Sequence, residues 1–254
     1  MDKQRIERER EFHNALAQNE FDGRRLINRL SWSFYSKEDK SPIWGPVWSQ
    51  IDLRSKKVLD YGCGNGSFSF ELARRGALVE GFDISEGLVE LASRSIPTGI
   101  PRPNFSVRDA HDTGFPGASF DYVFGNGILH HLELEKAYQE VARVLKPEGI
   151  AFFMEPMEHH PLAALLRKAT PAARSVDEKP LNLEQIELAK HYFPRFRHTG
   201  HYVSAVIAAP LHLASRTAAF WVIKGMDSVD CTIMRLIPSL RRFAWQCMIE
   251  LGKS

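Results

Sequence analysis

The feature that most constrains the fold of this chain is the run at residues 58–66, Val-Leu-Asp-Tyr-Gly-Cys-Gly-Asn-Gly. A short apolar stretch leads there into three glycines at alternate positions, and a helical pattern follows over residues 67–75. Glycine lets the backbone turn sharply and lets a ligand approach with no Cβ in the way. The first N–H groups of a helix also lack internal partners. The run therefore predicts a strand, a tight turn and a helix start that can hold a ligand. Its GxGxG spacing differs from the GxGxxG dinucleotide fingerprint, and alone it also fits a turn with no ligand.

Strands and helices alternate after this turn. Further strands are predicted at residues 77–82, 104–107, 120–125 and 150–155, with helices at 85–95 and 134–145. Strands joined by helices of this length imply right-handed crossovers and a parallel sheet that is covered on both faces. The alternation therefore predicts an α/β fold of the Rossmann-like, doubly wound type.

Polar residues stand at the ends of several predicted strands. Asp83 ends the second strand, Asp109 and Ala110 follow the third, and Asn126 follows the fourth. In a doubly wound sheet, ligands bind outside the carboxyl ends of the strands, so these groups are expected around one crevice. Taken singly, Asp83 also fits a helix N-cap and Asp109 an ordinary loop residue. Their occurrence at successive strand ends favours a shared ligand.

Five segments of the chain together resemble the class I S-adenosylmethionine-dependent methyltransferases, in the small-molecule branch related to ubiquinone and menaquinone methyltransferases. The segments are VLDYGCGNG (58–66), GFDIS (81–85), VRDAHDTGFP (107–116), FDYVFGNGILHHL (120–132) and VLKPEG (144–149). They cover about residues 55–156, and the rest of the chain matches only loosely. The resemblance implies a seven-stranded, mostly parallel sheet with order 3-2-1-4-5-7-6, an antiparallel last strand, and a helical or irregular cap.

The resemblance also implies a cofactor site for S-adenosylmethionine, with S-adenosylhomocysteine as the product. Asp60 and the backbone of Gly62, Cys63 and Gly64 would contact the methionine part of the cofactor. The ribose would be held by Asp83 beside Ile84, the adenine edge by Asp109 and Ala110, and Asn126 would line the methionine end.

The candidates for a general base are His130 and His131, which follow the fourth strand. Histidine can accept a proton near neutral pH, and adjacent side chains point in different directions, so we favour His131. A packing or cofactor-contacting histidine with no proton role is the alternative. The two pairs His130-His131 and His159-His160 lack zinc-ligand spacing, and we expect no metal site.

Residues 1–50 are expected to form a helical cap or lid, and residues 51–254 the methyltransferase domain, with insertions at about 157–181 and 204–240. Within the segments flanking the core motifs, the rings of Tyr35, Trp44 and Trp48 are candidates for stacking on the acceptor or the adenine, or else form local core. Phe220 and Trp221 are candidates for lining an apolar acceptor channel, and fit equally a core or a dimer face.

The composition of the chain limits the classes of partner and the compartment that we expect. Lys and Arg total 33 against 31 for Asp and Glu, a formal net charge of +2, which gives no electrostatic footprint for nucleic acid. The apolar stretch 205–223 is interrupted by Pro210, His212 and Arg216, so no membrane span is expected. Three cysteines without a CxxC pair and a charged N-terminal stretch indicate a cytoplasmic protein. Nothing in the sequence predicts the oligomeric state.

The expected function is therefore methyl transfer to a small, partly apolar acceptor, with O-methylation first. N- or C-methylation of a small molecule, methylation of RNA or protein, and a non-catalytic S-adenosylmethionine-binding module are the alternatives.

Overall fold

A seven-stranded sheet lies at the centre of the computed structural model, which describes residues 3–19, 39–169, 175 and 178–253. The strands are β1 (Lys57–Tyr61), β2 (Leu78–Asp83), β3 (Asn104–Val107), β4 (Phe120–Asn126), β5 (Leu145–Pro156), β6 (Arg195–His201) and β7 (Gln246–Gly252). The α-helices are α1 (Lys3–Asn19), α2 (Trp44–Trp48), α3 (Ser67–Arg74), α4 (Glu86–Arg94), α5 (Leu134–Val144), α6 (Pro161–Ala169), α7 (Leu183–Glu187) and α8 (Arg216–Leu236). Short 3-10 helices cover Leu129–His131, Leu188–His191, Ala205–Leu213 and Pro238–Phe243.

The strands lie in the order β3-β2-β1-β4-β5-β7-β6. β1 pairs in parallel with β2 and β4, and β7 runs antiparallel between β5 and β6. This confirms the fold expected from the sequence, including the antiparallel last strand. Because β6 is antiparallel to β7, it runs in the same direction as the first five strands. The carboxyl ends of β1 to β6 therefore meet at one edge of the sheet.

Alternate residues of the strands feed two apolar cores on opposite faces of the sheet, as the period of two in a strand requires. Val58 and Phe124 belong to one core, together with residues of α2, α3 and α8. Leu59 and Val123 belong to the other, together with residues of α5 and α7. Packing from both sides fixes the strands, and with them the side chains at their carboxyl ends.

The structure departs from the sequence-based expectation mainly at the two long insertions and the strands around them. The insertion expected at about 204–240 contains a 3-10 helix and the 21-residue helix α8. Apolar side chains lie on both the buried and the exposed side of α8, so the helical period is obscured in the sequence. β5 begins at Leu145, which pairs with Phe120, rather than at Ile150 as expected, and β7 begins at Gln246.

The earlier insertion, at about 157–181, contains helix α6. Among the residues that the structure describes, no helix combines the length and the apolar character needed to cross a bilayer. The division into a cap at 1–50 and a methyltransferase domain at 51–254 stays a prediction.

Candidate functional site

The turn after β1 is shaped by glycines in the left-handed backbone region. Gly62, Gly64 and Gly66 have φ values of 78°, 52° and 79°, which other residues rarely adopt. A Cβ on Gly62 would lie 2.7 Å from the Ile128 side chain, whereas a Cβ on Gly64 would meet nothing within 4 Å. Gly62 therefore lets the turn pack against the loop after β4, and Gly64 keeps open space beside the turn.

Asp83, at the carboxyl end of β2, connects this turn to the neighbouring strand. Its Oδ2 accepts a hydrogen bond from Gly64 N at 2.9 Å, and its Oδ1 accepts one from Ser85 N at 3.0 Å. The N-cap role belongs to Ser85, whose Oγ accepts from Leu88 N at 3.1 Å. Each carboxylate oxygen has further acceptor capacity, so Asp83 can also accept hydrogen bonds from a ligand.

The loop after β3 is braced by an Asp–His pair. Asp109 Oδ1 accepts hydrogen bonds from His111 N at 2.8 Å and from its Nδ1 at 2.7 Å. His111 Nε2 accepts from Glu133 N at 3.1 Å, which assigns the ring proton to Nδ1 in a neutral imidazole. The hydrogen bond from His111 lowers the pKa of Asp109 despite partial burial, so this carboxylate is ionised at neutral pH. The Tyr61 hydroxyl donates to the Ala110 carbonyl from below.

These strand ends surround one cavity of about 210 Å³. The structure brings together around it most of the cofactor residues expected from the sequence, together with one of the two histidines: Gly62, Gly64, Asp83, Ile84, Asp109, Ala110, Asn126 and His131. Sequence reasoning did not assign the remaining lining residues to the site: Glu9, His13, Phe82, Leu88, Arg108, His111, Gly127, Ile128 and Leu132.

Two of the expected cofactor residues lie beneath the cavity instead of at its wall. Asp60 is buried, and its Oδ2 accepts a hydrogen bond from Ser69 Oγ at 2.5 Å, which ties β1 to the first turn of α3. Cys63 N donates to Phe82 O at 2.8 Å, and burial raises the pKa of the Cys63 thiol well above its usual range. Both residues support the glycine turn from behind.

His130 points away from the cavity into a buried network. Its Nδ1 lies 2.7 Å from Glu155 Oε2, and Glu155 Oε1 accepts hydrogen bonds from the backbone of Ile128 and Leu129 at 2.9 and 2.8 Å. Glu155 is fully buried at the end of β5. Through these contacts it holds the 3-10 turn that carries both histidines, so His130 acts as part of the framework.

His131 lines the cavity and contacts helix α1. Its Nδ1 lies 3.2 Å from Glu9 Oε2, and His13 Nε2 lies 3.6 Å from the same oxygen. Burial lowers the pKa of His131 below its usual value, although Glu9 acts in the opposite direction. Burial also acts to raise the pKa of Glu9, but contacts with His13, His131 and Ser175 outweigh it and hold that pKa far below its usual range.

Helix α1 is anchored over the cavity by polar contacts at both ends. Asn14 Oδ1 accepts hydrogen bonds from Ser85 Oγ at 2.6 Å and from Gly87 N at 3.2 Å. Arg5 donates to the His131 carbonyl at 3.0 Å. The spacing of Glu9 and His13 at i, i+4 places both on one helix face, and this was the sequence signal available for finding them.

Three groups of possible metal ligands occur in the described part of the chain, each with its ligand atoms within 4.8 Å of one another: Glu9, His13 and His131; His130, His131 and Glu178; and His201, Asp227 and Cys231. The first group faces the cavity. The expectation of no metal site therefore stays a prediction, and metal analysis of the purified protein tests it.

Two tryptophans proposed as stacking groups lie elsewhere. Trp44 is fully buried, with its ring centroid 4.7 Å from Phe68 and 6.0 Å from Phe124. Trp48 stacks on Trp44 at 5.3 Å. The structure thus places both in a core under the sheet, because their large apolar rings gain most by burial. Tyr35 lies outside the described residues.

The aromatic pair on α8 is also remote from the cavity lining. Phe220 packs into the protein, whereas Trp221 is 53% exposed. The structure does not bring either side chain to the strand-end cavity, so a channel role next to the cofactor residues is not supported.

Comparison with known proteins finds matches to the central part of the chain. Residues 59–153 match the model of a methyltransferase domain. The ubiquinone biosynthesis O-methyltransferase of Coxiella burnetii is 33% identical over 108 residues, which are 42% of this chain and 46% of that protein. The demethylmenaquinone methyltransferase of Clavibacter sepedonicus is 39% identical over 98 residues, 38% of this chain and 40% of that protein. The chain thus spans about half the length of the curated relatives that it matches.

Solved structures share the fold at lower identity. The phosphoethanolamine N-methyltransferase 2 of Haemonchus contortus, in complex with S-adenosyl-L-methionine, superposes with a TM-score of 0.63 at 20% identity over 95% of this chain and 60% of that one. The magnesium protoporphyrin IX methyltransferase of Synechocystis PCC 6803, with bound S-adenosylhomocysteine, superposes with a TM-score of 0.59 at 18% identity. The superposition covers 96% of this chain and 98% of that one. The resemblance to methyltransferases seen in the sequence is confirmed over residues 59–153, which match a methyltransferase domain, and the solved structures share the fold of the chain.

Proposed function

We propose that this protein binds S-adenosylmethionine in the strand-end cavity and transfers its methyl group to the oxygen of a small, partly apolar acceptor. The observation that carries the proposal is the convergence of Gly64, Asp83, Asp109 and Asn126, from four strand ends, on one cavity. The name of one matched relative, a ubiquinone biosynthesis O-methyltransferase, supports methylation on oxygen, and the quinones named in this relative and in the demethylmenaquinone methyltransferase support an acceptor that is apolar in part.

The cavity residues fit the cofactor chemically. Open space beside Gly64 admits a ligand close to the backbone, and the carboxylates of Asp83 and Asp109 can accept hydrogen bonds from ribose hydroxyls and an adenine amine respectively. Bound S-adenosylmethionine would supply a methyl group already activated by its sulfonium. The protein has to orient the acceptor and keep water away from it, because alignment alone can remove much of the barrier.

We assign the proton-accepting role to His131. It lines the cavity while His130 is held by Glu155, and its lowered pKa keeps the imidazole neutral, and so able to accept a proton, at neutral pH. A hydroxyl acceptor loses a proton on methylation, and a positioned base typically contributes a factor of about 100 or more.

We further propose that α1 is the lid of the cavity, in line with the cap expected at residues 1–50. Glu9 and His13 of α1 form part of the cavity wall. A helix held by a few polar contacts, such as those of Asn14, can open to admit ligands at a modest cost in free energy.

The test is a turnover assay in which S-adenosylmethionine is offered with a panel of apolar phenols, amines, activated carbon acceptors and RNA. We expect S-adenosylhomocysteine release with phenolic acceptors, lowered roughly a hundredfold in His131→Gln at saturating substrate. Release only with amines or carbon acceptors would reassign the methylated atom, and release only with RNA would reject a small acceptor. Background release with every compound, with cofactor binding intact, would show a binding module.

A further inference from the structure

Helix α8 carries a second apolar face that nothing covers in the described part of the chain. Its buried side supplies Ala219 and Ile223 to one core of the protein. Beside this buried side, exposed apolar residues fall at helical spacing, and they are Val222, Val229, Ile233 and Leu236. Residues three, four and seven apart lie on one face of a helix, so these side chains form a continuous stripe.

The exposure of this stripe is large. Val229 is 58% exposed and Leu236 is 78% exposed, and the neighbouring Trp221 is about half exposed. The 3-10 helix before α8 adds three more exposed residues, Ile207, Leu211 and Leu213. Single exposed apolar residues are ordinary on protein surfaces, but a contiguous exposed apolar patch indicates a site that binds another protein or a membrane. We refer to these eight side chains as the α8 patch.

The surface charge of the chain segment that carries the α8 patch is of one sign. Between residues 204 and 245 the sequence contains five Lys or Arg residues and two acidic residues, Asp227 and Asp230. Both acids are buried. Asp227 accepts a hydrogen bond from Tyr202 N at 2.7 Å, and Asp230 accepts one from Ser204 N at 2.8 Å. The charges that this segment shows to solvent are therefore cationic.

Two of the cations in this region converge on Trp221. The ammonium groups of Lys224 and Lys40 lie 5.6 and 5.9 Å from its ring centroid. Arg235 lies further along the same helix and is exposed. Lys224 Nζ also donates a hydrogen bond to the Lys40 carbonyl at 3.1 Å, and both ammonium groups lie within cation–π range of the exposed indole. A tryptophan ring with cations around it is also the usual arrangement at the level of lipid headgroups.

The α8 patch continues to the edge of the sheet that holds the cavity. β6 runs parallel to the first five strands, so its carboxyl end at His201 lies at their carboxyl edge. The 3-10 helix Ala205–Leu213 begins four residues later and carries part of the patch. A surface docked through this patch would therefore lie along that edge of the protein.

We propose that the α8 patch docks on an anionic lipid bilayer, with its apolar side chains in the interface and its cations on lipid phosphates. An apolar helix face flanked by Lys and Arg is the pattern of helices that lie in a membrane interface without spanning it. A second copy of the chain would cover the apolar stripe but would bring the same cations together. The anionic bilayer satisfies both features at once. This inference does not depend on turnover in the cavity.

The test is sedimentation of the full chain with vesicles of phosphatidylcholine alone and with phosphatidylglycerol added at about 30%, near the anionic content of natural membranes. We expect binding to the anionic vesicles and weakening by salt. Lys224→Gln combined with Arg235→Gln should weaken binding roughly thirtyfold, about fivefold for each charge removed. Leu236→Glu should weaken it by at least about tenfold, because it removes apolar area and adds a negative charge.

Leu78→Glu is the matched control, since Leu78 is 53% exposed at the start of β2, at the opposite edge of the sheet. It should leave vesicle binding unchanged, and all variants should retain the wild-type circular dichroism spectrum and cofactor affinity. Absence of wild-type binding to anionic vesicles would overturn the proposal. So would a concentration-dependent dimer that Leu236→Glu dissociates without any vesicle binding, because the stripe would then be a contact between copies. Equal loss in Leu78→Glu would also overturn it.

Discussion

The cavity rim and helix α8 use acidic residues in opposite ways. At the rim, Asp83 and Asp109 border a cavity and keep part of their hydrogen-bonding capacity for a ligand. On α8, Asp227 and Asp230 are buried, and their carboxylate oxygens accept hydrogen bonds from other groups of the chain. The comparison shows that the secondary-structure element carrying a carboxylate determines whether its oxygens are available to a ligand or bond to the chain itself. A strand end opens toward solvent or ligand, whereas a helix packed on a sheet turns one face inward.

The inward acids of α8 organise the start of the 3-10 helix before it. Asp227 also accepts from His201 Nδ1 at 2.8 Å, and Asp230 also accepts from Ser204 Oγ at 2.7 Å and Ala205 N at 3.2 Å. These bonds satisfy backbone N–H groups that would otherwise be buried without partners, a loss that costs about 1–3 kcal/mol each. The acids of α8 are therefore expected to act on stability, and those of the rim on binding.

The largest expected effect comes from Asp227→Ala. Removal of a buried carboxylate that holds both His201 and Tyr202 N should lower the free energy of unfolding by about 4 kcal/mol, while cofactor affinity of the folded protein is unchanged. Urea denaturation followed by circular dichroism measures this. Asp52→Ala, at an exposed position paired with Arg54, is the control. A loss below about 1 kcal/mol would erase the contrast between the two regions.

The next effect concerns the proposed base. His131→Gln should lower kcat by roughly a hundredfold with little change in cofactor affinity. In the wild-type protein, kcat should fall as pH decreases through the pKa of His131, which lies below its usual value of about 6.5, because the protonated imidazole cannot accept a proton. A flat pH profile through this range, or a variant with the wild-type rate, would remove His131 from the chemistry.

Asp83→Ala should weaken S-adenosylmethionine binding roughly thirtyfold, or about 2 kcal/mol, the scale of hydrogen bonds to a charged group. Stability should fall by only about 1–3 kcal/mol, because water in the cavity can solvate Gly64 N and only the buried Ser85 N loses its partner. Equilibrium dialysis gives the affinity and urea denaturation the stability. A large stability loss with unchanged affinity would make Asp83 resemble the acids of α8.

The smallest effect is expected for Glu9→Gln. The Glu9 carboxylate acts to raise the pKa of His131, so its neutralisation should move the acid midpoint of the kcat profile to lower pH. The direction of this shift separates a charge effect from general damage to the lid. A midpoint that moves to higher pH would show that Glu9 does not act on His131 in this way.

The rim could be predicted from the sequence because each of its parts is local. Gly62 to Gly66 and Asp83 stand within a few residues of a strand end, and the sheet order brings those ends together. Glu9 could not be found in this way, since its contact with His131 spans 122 residues and depends on where α1 docks. For Trp44 the sequence left stacking and local core open, because an aromatic ring suits a core as well as a ligand, and the structure places its ring in a core.

Helix α8, in contrast to the rim, could not be predicted from the sequence. A helix that is apolar toward the core and apolar toward solvent has no clear period of 3.6, so the sequence predicted only an insertion at about 204–240 and no helix within it. The burial of Asp227 and Asp230 is likewise visible only in three dimensions. The structure was needed to show that the cations, and not the acids, face outward there.

The central claim is that the glycine turn forms the cofactor cradle, and a calorimetric titration with S-adenosylhomocysteine tests it most directly. Gly64→Ala and Gly99→Ala form a matched pair, because both glycines have positive φ, at 52° and 80°, and a Cβ on either meets nothing within 4 Å. They share the backbone strain of roughly 1–3 kcal/mol, but only Gly64 lines the cavity. We predict one bound S-adenosylhomocysteine per chain in the wild type and in Gly99→Ala, and a strong loss of affinity in Gly64→Ala. No saturable binding by the wild type, or equal affinity in the two variants, would contradict the account.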